Sequence, residues 1–197
     1  MKLKNWEIGL MLCLALLVLS CAVPIYQQER LAEKLTRLHV VANSDSEADQ
    51  ALKLKVRDAV LAEIRADDHE IDEALLVRLQ RAAEKTVAAA GSAQAVSVYC
   101  TGMYFDTREY DTFSLPAGYY DAVRIELGEA AGRNWWCVLF PPLCAGACQE
   151  DLEEIGDRAG LTKDEVSYIS GDGTEYIVRF KIVEWWGTFR RWISGLC

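Results

Sequence analysis

The chain has 197 residues, 51% hydrophobic and 26% charged, with a formal net charge of −9. Length and balance suit one folded domain with a short address segment, and they exclude a disordered chain. An acidic body repels phosphate, which argues against nucleic acid as a partner and against docking of the whole body on anionic lipid.

The first residues predict an export leader over residues 1–21. Lys2 and Lys4 give a short basic start, and Ile8 to Leu19 is apolar apart from Gly9. That run has signal-peptide length and is short for a membrane span, which takes roughly 20 residues. Ser20, Cys21 and Ala22 offer small residues for cleavage, and Val18-Leu19-Ser20-Cys21 also resembles a lipobox with Cys21 as the lipidated residue. A plain signal peptide, a lipoprotein leader and an uncleaved anchor reaching Ile25 all fit. Residues 22–36 read as a polar tether or short helix.

The domain proper is placed at residues 37–183. Leu38-His39-Val40-Val41-Ala42 is a compact apolar run and reads as a strand. Ser44 with Glu47 fits a capping box for a helix over 47–65. A second helix is expected over 72–90, with Gly91 as its terminator. The alternating faint acidity of Asn43, Asp45, Glu47 and Asp49 lacks the glycine and final glutamate of a calcium loop, so capping chemistry is the better reading. Strands are expected over 95–99 and 110–113. Residues 120–127 and 134–140 read as the arms of one hairpin, closed by Pro141-Pro142, and 176–183 as a further strand. Residues 184–197 form an aromatic-basic helix. The order points to an α+β fold, a two-layer sandwich of antiparallel or mixed sheet with helices on one face, preceded by the signal or anchor segment.

Outside the leader five cysteines remain, an odd number: Cys100, Cys137, Cys144, Cys148 and Cys197. Their spacing matches no standard zinc pattern, so neither a metal nor another cofactor is expected. A Cys137–Cys144 disulfide and simple burial as small apolar residues are equally open. Of the two histidines, His39 lies in the apolar strand as a hydrogen-bonded core or edge residue, and His69 follows Asp67-Asp68 in a loop. No nucleophile elbow or zincin motif occurs, and Cys137 with His39 is the weaker, enzymatic reading.

Two surfaces are candidates for partner binding. In Trp135-Trp136 one indole is expected outward, because strand neighbours face opposite sides, beside the rigid Pro141-Pro142. In the tail, Trp185, Phe189 and Trp192 recur at helical spacing beside Arg190 and Arg191. That helix can pack on its own domain, lie at a membrane interface or fit a partner's groove.

Three stretches resemble the stage II sporulation protein R family: 37–60, starting Arg37-Leu38-His39-Val40-Val41-Ala42-Asn43-Ser44; 115–122, Leu115-Pro116-Ala117-Gly118-Tyr119-Tyr120-Asp121-Ala122; and 134–144, Asn134-Trp135-Trp136-Cys137-Val138 onward. The resemblance implies a non-enzymatic signal exported from the forespore into the space facing the mother cell. There it would activate a membrane-embedded sporulation aspartic protease, which processes the precursor of sigma factor E. It implies no small-molecule substrate. The rival from another class is a secreted thiol enzyme or redox protein using Cys137 and Cys144.

Overall fold

The computed structural model describes residues 4–64, 68, 71–110, 113–141, 156, 160–170 and 174–194. Helix α1 (Asn5–Ala32) leads into strand β1 (Thr36–Val41), then helices α2 (Glu47–Ala62) and α3 (Glu73–Ala89). Strands β2 (Val96–Phe105), β3 (Arg108–Glu109), β4 (Ser114–Leu115), β5 (Gly118–Leu127) and β6 (Asn134–Phe140) follow, and helices α4 (Lys163–Ser170) and α5 (Thr174–Ser194) complete the chain.

The main sheet has the order β2-β5-β1-β6. β1 runs parallel to β5 and antiparallel to β6, while β2 pairs antiparallel with β5. The expected hairpin is therefore corrected: the arms 118–127 and 134–140 do not pair with each other, because β1 lies between them. The apolar run of β1 explains it. Arg37 to Val41 are all buried, and a strand covered on both faces satisfies its backbone best in the middle of a sheet.

One face carries α2 and α3. Their Leu52, Val56, Val60, Leu75, Leu79, Ala83 and Val87 close on Leu38, Val40, Val123, Ile125 and Leu139. Full burial of each such aliphatic chain is worth about 1.5–3 kcal/mol. Asp72 caps α3 by accepting the Leu75 amide at 2.7 Å. Ser46, not Ser44, caps α2: its Oγ accepts the Asp49 amide at 3.2 Å.

The α+β class and the mixed sheet match expectation. Where one helical face was expected, two are found. Leu31 and Leu35 join Phe105, Tyr120, Val138, Tyr168, Ile169 and Phe180 in a second core on the opposite face. Residues 22–32 are the last turns of α1 rather than a tether, and Pro24, Gln28 and Leu31 of that helix are buried, as is Leu35 just beyond it. The predicted strand 176–183 is the first half of α5. Its buried Phe180, Val183 and Gly187 repeat at helical rather than strand spacing. The predicted strand 110–113 is the link of the β3–β4 hairpin, closed by Tyr110 N–H donating to Phe113 O at 2.8 Å.

Candidate functional site

Where β1 ends, a polar knot fixes the crossing of three segments. The Asp49 carboxylate accepts Ser44 Oγ at 2.5 Å, Asn43 Nδ2 at 2.9 Å and Gln94 Nε2 at 2.6 Å. These donors, the Ser44 hydroxyl foremost, hold its pKa down at about 2. The loop 128–133 straps over the same point. Glu129 N–H donates to Asn43 Oδ1 at 2.9 Å, Gly132 N–H to Ala42 O at 2.9 Å, and Arg133 N–H to Asp45 Oδ1 at 2.6 Å. Lys53 closes it, donating to Arg133 O at 2.9 Å. A Cβ on Gly132 would run into the Ser44 backbone, and Gly128 combines φ +56 with contact on the Asn43 side chain. These bonds hold the shape of the crossing.

Of the two indoles, neither is the outward anchor expected. Both are half-buried, one on each face of the sheet. The Arg57 guanidinium lies over Trp135 at 4.8 Å and that of Arg108 over Trp136 at 5.5 Å. Pro141 is buried; Pro142, Cys144, Cys148, Cys197 and His69 lie outside the described residues. Cys137 is disulfide-bonded and wholly buried, whereas Cys13, Cys21 and Cys100 are free thiols. His39 is not hydrogen-bonded as expected: both ring nitrogens are buried without a partner. Burial, helped by the Arg124 charge, depresses its pKa to about 4. Cys137 pairs in register with Leu38 and packs on the α2–α3 side, while His39 stacks on Trp136 on the other. The sheet separates this would-be nucleophile from its would-be base.

Arg37 is the most unusual core residue. Its guanidinium is fully buried between the rings of Phe105, at 4.4 Å, and Tyr120, at 5.1 Å. It donates to Tyr110 Oη at 3.0 Å and Cys137 O at 3.3 Å, and Nη1 has no hydrogen-bond partner.

The tail supplies the exposed surface. α5 turns Phe180, Val183 and Gly187 inward and leaves Trp185 73%, Phe189 48% and Trp192 63% exposed. Its arginines do not stand on that stripe. Arg191 lies over the Tyr104 ring at 4.0 Å, and Arg190 pairs with Glu29 on α1 at 3.5 Å. They hold the helix to the domain and aim the indoles away from it. A cleft of about 260 Å³ opens between α1 and α4, edged by Tyr26, Arg30, Thr162, Glu165 and Tyr168.

The family model for stage II sporulation protein R matches residues 32–150. Stage II sporulation protein R of Bacillus subtilis (strain 168) is 38% identical over 181 residues, covering 78% of this chain and 80% of the relative. The chain belongs to the stage II sporulation protein R family. No solved structure matches it. The family match spans β1 through β6, and so holds the whole main sheet and the polar knot. It begins at the last residue of α1 and stops before α4, leaving most of the apolar helix and the aromatic stripe outside.

Sequence reading missed Arg37 and the knot. An arginine opening an apolar strand was the available signal for the first. Asn43 and Asp49 were visible as part of a capping segment, but their link to Gln94, 45 residues from Asp49, is made only by folding.

Proposed function

We propose that this protein is an exported sporulation signal that activates a membrane-embedded aspartic protease of the neighbouring cell, and so triggers processing of the sigma factor E precursor. Membership of the stage II sporulation protein R family carries the reading. Two features support it. α1, 28 residues long, is long and apolar enough to cross a membrane, as an export or anchor segment requires. The weaker enzymatic pair, Cys137 and His39, sits on opposite faces of the sheet, while Cys144 of the thiol alternative lies outside the described residues.

The test is reconstitution in a non-sporulating cell that expresses this chain, the protease and the sigma precursor. Processed sigma factor is expected only when all three are present. Unprocessed precursor, with the chain shown to be exported and folded, overturns the reading. Processing that persists with a catalytically dead protease would assign the cleavage elsewhere.

A further inference from the structure

α1 is apolar and exposed from Ile8 to Val23, with only Gly9, Ser20 and a half-buried Cys21 among the described side chains breaking the greasy surface, and it becomes part of the folded domain at buried Pro24. From Trp6 to Val23 the helix spans roughly 27 Å at 1.5 Å per residue, close to the ~30 Å of a bilayer's hydrocarbon. The domain therefore starts where the hydrocarbon ends. Glu29 stands six residues further, about 9 Å beyond that boundary. Arg190 reaches this same Glu29, at 3.5 Å. α5 is consequently fastened to α1 just outside the hydrocarbon.

The chemistry of the stripe suits the headgroup layer. Trp185, Phe189 and Trp192 lie on one side of α5, with half-exposed Ile193 beside them and no charged side chain between. The cations beside the stripe are turned to the protein: Lys181 pairs with Glu184, Arg190 with Glu29, and Arg191 lies over the Tyr104 ring, which leaves the stripe itself uncharged. Tryptophan prefers the headgroup zone. We infer that α5 is an interfacial helix: its Trp185–Phe189–Trp192 stripe docks on the surface of the same bilayer that α1 enters, and so sets how the sheet is presented above the membrane. The inference rests on α1 lying in the membrane, which belongs to the proposed function, but it needs no protease.

The full chain is reconstituted into phosphatidylcholine–phosphatidylglycerol vesicles whose lipids carry bromine either high in the acyl chain or near its end. Emission lost in W185F/W192F isolates the two stripe indoles, and emission lost in W6F isolates the start of α1. Both variants keep apolar rings at exposed positions, and circular dichroism checks the fold. The stripe component is expected to be quenched by the shallow label at least about twofold more than by the deep one. Quenching of the Trp6 component alone overturns the docking while leaving α1 in the bilayer. Stronger quenching by the deep label overturns a surface placement. A stripe quenched by neither label overturns the inference, whether a second copy or water covers it. A quenched stripe beside an unquenched Trp6 overturns the inference as stated, because α1 is then outside the bilayer on which the stripe docks.

Discussion

His39 lies flat against Trp136, with ring centroids 3.8 Å apart and planes 4° from parallel, and neither imidazole nitrogen finds a hydrogen-bond partner. The stack fills the apolar space of a core histidine at the expense of its hydration, so the ring stays neutral in the folded state.

That neutrality has a pH consequence. The folded pKa is depressed to about 4 from 6.5. As pH falls below 6.5 the unfolded chain takes up a proton that the folded chain refuses, so stability declines down to about pH 4 and then levels for this group. The slope from His39 is at most about 1.4 kcal/mol per pH unit. Chemical denaturation of His39→Phe between pH 7 and pH 4 should show a flatter profile than the parent. An unchanged slope would mean that other groups set acid stability.

The polar knot predicts a second set of losses. Asp49→Asn puts an amide donor where three donors converge, and stability should fall. The native carboxylate's contribution is present above pH 3.8 and is lost as pH falls through about 2, so the gap between parent and variant should close only in strong acid. Gly132→Ala, which sets a methyl against the Ser44 backbone, should cost at least about 2 kcal/mol. Urea melts at neutral pH decide both.

Arg37 invites a comparison of three side chains. No carboxylate neutralises it among the described residues, so an apolar chain of similar length can replace it at little cost. Arg37→Met should lie within about 1 kcal/mol of the parent. Arg37→Lys should be worse than Met by at least about 1 kcal/mol, because an ammonium cannot spread its charge between the two rings. Lysine matching or exceeding methionine in a thermal melt would contradict this account of the site.

The tail separates folding from signalling. Trp185→Ser with Trp192→Ser changes only exposed positions and should move Tm by less than about 2 °C. The same pair should lower protease activation by about tenfold in the reconstituted assay, as losing interface anchors does. Gly187→Leu should do the reverse to the fold, driving α5 off the Tyr104 ring it touches and lowering Tm. Full activation by the double variant would place the working surface elsewhere on the domain.

Several elements were legible in the chain itself. The 3.6-residue recurrence from Leu52 to Val60 and from Leu75 to Val87 required two helices with one apolar face each, because local spacing decides which side chains share a face. The compact apolar run of β1 read as a strand, although its cover on both faces was not foreseen. The family was equally readable, since its long segments lie in order along the sequence. What the sequence left undecided depended on partners distant in the chain. Adjacent strands β5 and β6 looked like a hairpin until β1, some 80 residues earlier, took the place between them. The alternation of 176–183 fitted a strand, and only the surface offered by α1 and the second core made it a helix, with Phe180 and Val183 inward. The outward tryptophan expected in Trp135-Trp136 was absent because Arg57 and Arg108, from other segments, cover both rings. The exposed aromatic stripe was visible as spacing, but its direction was fixed by Glu29 and Tyr104. Spacing tells which residues travel together, whereas the sign of the face, inward or outward, belongs to whatever the rest of the chain sets against it.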